Sequence, residues 1–284
     1  MENILFKKSY LLSNFKEIKY NDLWNKKGIF TTIRVIGRPY CLYLFDQHLK
    51  NLNYSLKKFG INASLSKRKI CKIINNLFNK KTTYDHLFRI AINSNILSVS
   101  LRVRPKPKKK FFASIVSYRR PDYKYKNLNY RKILNYISTI NTTSKEILLV
   151  KKNCLLEGCT TNLLFIKKNK IYIPKEGYYP GVTLKFFLKR IKSFVVRKNI
   201  HINQLKDFEE IILLGTGKGV VSLNEIKDLN WKRKRNIYYK KLLDGLSKEE
   251  QIKAEKSALS TAKYLWNFLT GMSIKHNIPS QIAA

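Results

Sequence analysis

The stretch from Leu155 to Leu188 reads LLEGCTTNLLFIKKNKIYIPKEGYYPGVTLKFFL, and the rest of the chain is interpreted around it. Glu157 stands beside a Gly-Cys-Thr-Thr-Asn turn, and the two short apolar runs after it predict a β-hairpin. Pro-Gly-Val-Thr then leads into an amphipathic helix. Small residues followed by Thr183 at a helix N-terminus leave backbone N–H groups without partners, which is a common way to bind a phosphate. The stretch therefore predicts an anion site.

The N-terminal half predicts an α+β unit. Ile29–Gly37 is β-branched and bounded by glycines, and Tyr40–Phe45 follows it as the second strand of a hairpin. Asp46 is the predicted N-cap of a helix that stops at Gly60, and Ser66 is the predicted N-cap of the next helix. Two further strands, LFRIAINS and ILSVSLRVRP, complete the unit.

The C-terminal half begins after a Pro-containing basic stretch, so we predict domains at residues 1–118 and 119–284. Its pattern predicts one helix from Lys126 onward and another over residues 183–196. The strand EIILLG then runs into Thr-Gly-Lys-Gly at 216–219, which has the composition of a backbone nest for anions. Ser247 and Glu250 form a capping-box pattern ahead of a long C-terminal helix.

The charge of the chain is unusual, because Lys and Arg number 57 and Asp and Glu only 18, a net charge of +39. Of the 57 basic residues, 13 are arginine and 57 − 13 = 44 are lysine, scattered through nearly every segment. This distribution indicates drifted codon usage and exposed positions that tolerate lysine. It predicts salt-sensitive adhesion to polyanions and no specific nucleic-acid partner.

The cysteines argue against a metal-binding protein, and the hydropathy argues against a membrane-spanning one. The four cysteines form no CxxC pair and have no histidine at metal-ligand spacing, which indicates a reducing compartment and no bound metal. No run approaches the roughly 18 apolar residues of a membrane span. We therefore expect a cytoplasmic protein without a membrane partner.

Four motifs in order resemble the class IV aminotransferases, the fold-type IV pyridoxal-phosphate enzymes. They are KNLN at Lys126, EGCTTNLLF at Glu157, PGVT at 180–183 and GTGKGVVSLNEI at 215–226, within a match from about Gly28 to Ile226. The family includes branched-chain and D-amino-acid aminotransferases and aminodeoxychorismate lyase. The resemblance implies a two-domain fold, with a small N-terminal α+β domain and a larger C-terminal mixed-sheet domain. It also implies pyridoxal 5'-phosphate, an amino-acid-like substrate and a homodimer.

The resemblance assigns the reactive amine to Lys126. Pyridoxal phosphate needs an amine that binds its aldehyde and moves protons at the substrate's α-carbon. Lys132, in KILN, competes for this assignment. Lys126 lies 157 − 126 = 31 residues before Glu157, which is close to the family's separation, whereas Lys132 lies 157 − 132 = 25 residues before it.

The other roles follow from the same resemblance. Glu157 is the partner of the cofactor's ring nitrogen, with an ordinary strand-end carboxylate as the alternative. Asn162 either braces its turn or contacts the ligand. The predicted phosphate-binding residues are Val182, Thr183, Gly215, Thr216 and Gly217.

The sequence departs from the family pattern at three places. Asn51 occupies the position of an arginine that grips the phosphate, so Lys50, Arg34 or another cation must substitute, or affinity falls. The Tyr-Gly-Asp-Gly segment before the first strand is missing. The Arg-Gly turn of the family is Asn93-Ser94 here.

Within the family, GIFTTIRVIG resembles the lyase branch, because branched-chain aminotransferases carry glutamate at the position of Thr31. Thr31 and Arg34 are the candidate substrate-binding residues. The resemblance favours 4-amino-4-deoxychorismate lyase, which releases pyruvate to leave 4-aminobenzoate in folate biosynthesis. Two alternatives stay open: a branched-chain or D-amino-acid transaminase using 2-oxoglutarate, and an inactive basic binding protein derived from the family.

Overall fold

The computed structural model describes residues 4–168, 170–191 and 195–235, all within one compact unit at 1–236. Its first sheet is antiparallel, with the strand order β2-β1-β6-β5-β3-β4. The strands are β1 (Ile4–Leu11), β2 (Glu17–Ile18), β3 (Ile29–Gly37), β4 (Cys41–Leu42), β5 (Tyr84–Ile92) and β6 (Ile96–Val103).

Two helices, α1 (Phe45–Lys58) and α2 (Lys67–Leu77), contribute to the core of this first sheet. Residues at alternate positions of a strand point to the same face, so Ile29, Ile33 and Val35 of β3 share the apolar face. They form a buried cluster with residues of both helices. The opposite face of the sheet, which carries Phe30, is therefore left to meet the later part of the chain.

Two further sheets follow, with the orders β13-β9-β8-β7-β16-β17 and β12-β11-β10-β14-β15. The first contains β7 (Phe112–Ser117), β8 (Lys145–Lys151), β9 (Cys154–Gly158), β13 (Ile200–His201), β16 (Glu225–Ile226) and β17 (Trp231–Lys232). The second contains β10 (Asn162–Lys167), β11 (Lys170–Pro174), β12 (Val195–Lys198), β14 (Glu210–Gly215) and β15 (Gly219–Ser222). The helices are α3 (Arg131–Ser138) and α4 (Val182–Ile191). A buried cluster that includes Phe165, Phe208 and Trp231 joins the two sheets.

Several sequence predictions are confirmed. The β3–β4 and β10–β11 hairpins form. The Ser66 side chain caps α2 by accepting a hydrogen bond from the Lys69 amide, and a strand occupies Glu210–Gly215. Strand pairing changes from the first sheet to the later sheets between Val103 and Phe112. The domain boundary at 118/119 itself stays a prediction.

The start of α1 differs from the prediction. The N-cap is Leu44, in the left-handed region with φ of 54°, and Asp46 lies in the first turn of the helix. A carboxylate in the first turn is stabilised by the partial positive charge of the helix N-terminus. Asp46 therefore indicates the first turn of α1 and is not its N-cap residue. The strand predicted over Tyr40–Phe45 is correspondingly only Cys41–Leu42.

The helix predicted from Lys126 begins only at Arg131. The segment before it pairs with the first sheet, because Phe30 donates its amide to the Lys126 carbonyl and Leu128 donates to the Gly28 carbonyl, each at 2.9 Å. These bonds compete with helix formation and hold Lys126 in an extended segment.

The helix predicted over 183–196 is also shorter than expected. It ends at Ile191, and Val195–Lys198 forms β12, parallel to β11. The β-branched pair Val195-Val196 favours a strand. The C-terminal helix predicted from Ser247 lies outside the described residues.

Candidate active site

Eight of the eleven predicted site residues line one cavity between the first sheet and the later sheets. They are Thr31, Lys126, Glu157, Asn162, Val182, Thr183, Gly215 and Thr216. The cavity therefore brings together residues that are up to 216 − 31 = 185 positions apart in the sequence.

Lys126 supplies the amine of this cavity. Its Nζ lies 5.0 Å from the centroid of the Phe30 ring, and within the described residues it makes no hydrogen bond or ion pair. Burial lowers the pKa of Lys126 to about 8, and the nearby charge of Arg120 lowers it further in the same sense. At pH 7 about a tenth of the amine is therefore neutral and nucleophilic, far more than for an ordinary lysine, and the neutral fraction reaches about half near pH 8.

Glu157 and Arg120 form a buried ion pair in the lining of the same cavity, with exposed fractions of 3% and 5%. Arg120 donates from Nε to Oε1 at 2.8 Å and from Nη2 to Oε2 at 2.9 Å. The Tyr179 amide donates a further bond to Oε2 at 3.0 Å.

The charges of this pair stabilise each other. Burial alone would lower the pKa of Arg120, but the Glu157 carboxylate more than offsets it, so the pKa of Arg120 is raised. Burial raises the pKa of Glu157, and the guanidinium opposes that rise. Since Arg120 stays a cation, it holds the facing carboxylate in its ionised form.

The N-terminus of α4 forms one wall of the cavity. As its first residues, Val182 and Thr183 have amides without an intrahelical acceptor. Asn162 braces the turn before the helix, donating to the Tyr179 carbonyl at 2.6 Å and accepting from the Gly181 amide at 3.1 Å. This arrangement matches the bracing alternative for Asn162.

The β14–β15 hairpin closes the same region from another direction. A Cβ atom at Gly215 would lie 2.9 Å from the Thr160 carbonyl oxygen, so only glycine lets the two turns approach this closely. Lys218 of the hairpin contacts buried Glu146 at 3.3 Å, and Thr160 donates to the same carboxylate at 2.7 Å. Glu146 therefore fixes both turns in place.

Three predicted site residues do not line the cavity. Arg34 is paired with Asp85 at 3.3 Å, and the Gly217 carbonyl accepts a bond from Arg104 at 2.9 Å. Asn51 donates to the Tyr179 hydroxyl at 2.7 Å and accepts from the Lys185 amine at 2.5 Å.

The cation beside Asn51 is therefore Lys185. Lys50 is exposed, and Arg34 is engaged by Asp85. The amine end of Lys185 is partly desolvated, which lowers its pKa, although the residue as a whole is exposed.

Sequence reasoning did not predict Arg120, His48 or Tyr130 as site residues, although all three line the cavity. His48 shares a 2.8 Å hydrogen bond with the Thr31 hydroxyl, and burial lowers the pKa of His48 to about 3, so it is neutral. Tyr130 donates to the Cys159 carbonyl at 2.6 Å. Tyr130 lies in the KNLNY motif and His48 in HLKNL, whereas nothing distinguished Arg120 from the other basic residues.

The comparisons with known proteins agree with this geometry. The model of the amino-transferase class IV family matches residues 28–226, which is more than half of the chain. The chain belongs to the class IV aminotransferases. No curated protein matches the sequence significantly.

Solved structures of class IV aminotransferases and related proteins share the fold. A branched-chain aminotransferase from Thermoproteus uzoniensis with norvaline has a TM-score of 0.71 and 16% identity, covering 86% of this chain and 93% of that one. A Legionella pneumophila protein provisionally named as a 4-amino-4-deoxychorismate lyase has a TM-score of 0.66 and 18% identity, covering 78% and 90%. A hypothetical aminotransferase from Mycobacterium tuberculosis in a PLP-bound form has a TM-score of 0.66 and 13% identity, covering 84% and 98%.

Class IV aminotransferases are pyridoxal-phosphate-dependent aminotransferases or lyases, and the cavity of this enzyme fits that cofactor. The deciding observation is Lys126, whose amine has no acceptor within the described residues and a pKa of about 8. A buried carboxylate, which suits a cationic ring, and an α-helix N-terminus, which suits a phosphate, complete the set of groups expected for the cofactor.

The described residues show neither a candidate metal site nor a candidate membrane-spanning helix. Within residues 4–168, 170–191 and 195–235, no three His, Cys, Asp or Glu side chains group in a way that could hold a metal ion. In the same part of the chain, no helix combines the length and the apolar character needed to cross a membrane.

Proposed function

We propose that this class IV enzyme is a 4-amino-4-deoxychorismate lyase that releases pyruvate and leaves 4-aminobenzoate. The observation that carries the proposal is Thr31 at the cavity wall, with its hydroxyl bonded to neutral His48 at 2.8 Å. Both groups are uncharged. The branched-chain branch carries a glutamate at the position of Thr31, which would add an anion to this wall.

Different residues of the cavity have different roles in the proposed reaction. Bound pyridoxal phosphate supplies an electron sink for the substrate's α-carbon. Lys126 would be the amine that binds the cofactor's aldehyde and the base for the substrate's α-proton. Glu157 would be the carboxylate that partners the ring nitrogen, and Arg120 orients Glu157 through its bonds to both carboxylate oxygens.

The amides of Val182 and Thr183, together with Gly215 and Thr216, would hold the phosphate, since all four residues line the cavity. Gly217, the remaining predicted phosphate ligand, supports the hairpin through the bond that its carbonyl accepts from Arg104. Lys185, positioned by Asn51, supplies the cation at this end of the cavity. A lysine here acts as a point charge, without the fork geometry of an arginine.

A transaminase is the second candidate, because the chain shares its fold with the Thermoproteus uzoniensis branched-chain aminotransferase. Branched-chain and D-amino-acid substrates fall in this class. Both reactions use Lys126 and Glu157 in the same way. Turnover separates them: pyruvate formed from 4-amino-4-deoxychorismate without an amino acceptor supports the lyase, and obligate exchange with 2-oxoglutarate rejects it.

The visible absorbance of lysine-bound cofactor tests the site. We expect purified enzyme to show this band, and Lys126→Ala to lose it. Lys132→Ala is the matched control, because Lys132 is exposed and lies over the Tyr118 ring at 4.7 Å, outside the cavity lining. A colourless wild type that refuses added cofactor would support the remaining alternative, a basic binding protein without catalysis.

We also propose a homodimer in the cytoplasm, in line with the four cysteines that are free thiols. Sedimentation of the holoenzyme tests the dimer, and a mass of 33.5 kDa at all concentrations would reject it.

A further inference from the structure

Three side chains form a hydrogen-bonded relay that ends at the cofactor cavity. The Lys185 amine donates to Asn51 Oδ1 at 2.5 Å, and Asn51 Nδ2 donates to the Tyr179 hydroxyl at 2.7 Å. Of the three, Tyr179 lines the cavity. The relay therefore connects an exposed lysine of α4, through a side chain of α1, with the hydroxyl of a residue in the cavity wall.

The direction of the hydrogen bonds in this relay is fixed by Lys185. An ammonium group has three donors and no acceptor, so the amide atom of Asn51 that contacts it must be the oxygen. The amide nitrogen of Asn51 then faces Tyr179, and an amide nitrogen only donates. The Tyr179 oxygen is therefore the acceptor of this bond, and its hydroxyl proton is left to bond elsewhere.

The Tyr179 hydroxyl keeps that proton at neutral pH. Burial raises the pKa of Tyr179 to about 12, although the charge of Arg120 opposes the rise. Within residues 4–168, 170–191 and 195–235, no group accepts a hydrogen bond from this hydroxyl. A desolvated donor without an acceptor is costly unless a ligand completes it.

The rest of Tyr179 is held by contacts that do not involve its hydroxyl. Its amide donates to Glu157 Oε2 at 3.0 Å, and its carbonyl accepts from Asn162 at 2.6 Å. The Arg120 guanidinium lies 5.8 Å from the centroid of its ring. The ring and the backbone are therefore fixed, and a variant that lacks only the hydroxyl keeps all three contacts.

Tyr179 also precedes the helix N-terminus that we propose for the phosphate. It lies 182 − 179 = 3 residues before Val182, the first residue of α4. The amides at a helix N-terminus favour an anion. The relay brings the charge of Lys185 to bear on the same end of the cavity. Both features favour a phosphate there over an uncharged group.

We propose that the Tyr179 hydroxyl is a further ligand of the cofactor phosphate, and that Asn51 transmits the charge of Lys185 to it. The inference rests on the proposed function and adds one residue to its phosphate site. Each hydrogen bond in a chain polarises the next donor, so a relay that begins at a cation strengthens the O–H group at its end. Asn51 and Lys185 act through Tyr179 and are positioning residues.

The test compares pyridoxal 5'-phosphate with pyridoxal, which has the same aldehyde and no phosphate, as ligands of the apoenzyme. Binding of each is read from the visible band of the lysine-bound aldehyde. Tyr179→Phe should weaken binding of pyridoxal phosphate about tenfold or more, since a hydrogen bond to a charged group contributes at least that factor. It should change binding of pyridoxal by less than about twofold, because pyridoxal offers the hydroxyl no phosphate oxygen.

Tyr178→Phe is the matched control for Tyr179→Phe. It removes the neighbouring hydroxyl, which accepts from Arg197 at 2.9 Å and belongs to a residue outside the cavity lining. Both aldehydes should bind this control as they bind the wild type. Asn51→Leu gives a second comparison, because it removes the relay and leaves the tyrosine. It should weaken pyridoxal phosphate several-fold and leave pyridoxal nearly unchanged.

Lys185→Gln tests whether the charge acts through the hydroxyl. It should weaken pyridoxal phosphate several-fold in the wild type and by less than about twofold in a Tyr179→Phe background, where the relay has lost its end. A several-fold loss in both backgrounds would overturn the relay, because Lys185 would then act on the phosphate directly.

The two aldehydes also separate failure of the inference from failure of the proposed function. If wild-type apoenzyme gives the visible band but Tyr179→Phe weakens both aldehydes alike, or neither, the hydroxyl is not a phosphate ligand and the proposed function stands. A wild type that gives no band with either aldehyde would reject the proposed function, and the inference with it.

Discussion

The Lys126 amine has a pKa of about 8, against an ordinary value of 10.5, which suits the nucleophilic role that we propose for it. Only the neutral amine attacks an aldehyde, so the rate of cofactor capture should rise with pH and level off above the pKa. We expect the midpoint near pH 8 when apoenzyme is mixed with pyridoxal phosphate and followed by absorbance. Arg102→Gln should move the midpoint upward, because the charge of Arg102 contributes to the lowered pKa of Lys126. Arg68→Gln removes an exposed charge on α2 and should leave the midpoint unchanged. A wild-type midpoint near 10.5 would contradict the buried position of the amine.

The Arg120–Glu157 pair should matter for stability as well as chemistry. Arg120→Gln leaves a carboxylate buried without its cation, which costs on the order of 3–5 kcal/mol in comparable sites. Urea denaturation of the apoenzyme measures the change in unfolding free energy.

The neighbouring Arg119 is exposed, so Arg119→Gln should leave the unfolding free energy nearly unchanged. Adding Glu157→Gln to Arg120→Gln should recover part of the loss. Equal effects of the Arg119 and Arg120 variants would mean that the pair does not form.

At the residue scale, the sequence predicted those site residues that lie within the four ordered motifs. Lys126 and Glu157 were identified because four motifs fall in sequence at the family's spacing, and the cavity brings both together. Arg120 was missed because, among 57 basic residues, charge alone carries no signal. Its role depends on a partner 37 positions away that only the folded chain supplies.

Among the elements, α1 and α4 meet through Asn51 and Lys185, beside Tyr179 of the cavity lining and at the end that we propose for the phosphate. Lys185→Gln should raise the dissociation constant for pyridoxal phosphate several-fold, because it removes the cation from this end of the cavity. Titration of apoenzyme with cofactor measures this.

Lys189→Gln is the control for Lys185→Gln. It removes an equal charge from an exposed position one turn further along α4. If both variants bind the cofactor alike, Lys185 has no part in the phosphate site.

Two elements also show where the spacing of apolar residues predicts the wrong secondary structure. The apolar spacing after Lys126 suits a helix, and Arg131–Ser138 forms one. The residues before it form backbone hydrogen bonds with β3, which no local pattern encodes. In the same way, Val195 and Val196 continue an apolar helical pattern, but these β-branched residues form a strand whose backbone pairs with β11.

The molecule as a whole carries a net charge of +39, most of it from lysines scattered through the sequence. We expect retention on heparin and binding to unrelated RNA sequences with similar affinity, both weakening steeply as salt rises. Binding measured over a salt series tests this. Affinity that depends on RNA sequence and resists salt would contradict a nonspecific origin.

The pairing between the Lys126 segment and β3 also bears on how damage to this gene would be interpreted. A methyl group at Gly28 would lie 2.3 Å from Leu128 and 2.6 Å from the Ile92 carbonyl oxygen, and so would push the lysine-bearing segment aside. In a mutagenesis screen scored by growth, lesions at Gly28 should resemble lesions at the lysine itself, although 126 − 28 = 98 positions separate them. A geneticist reading only the map would place them in different functional regions.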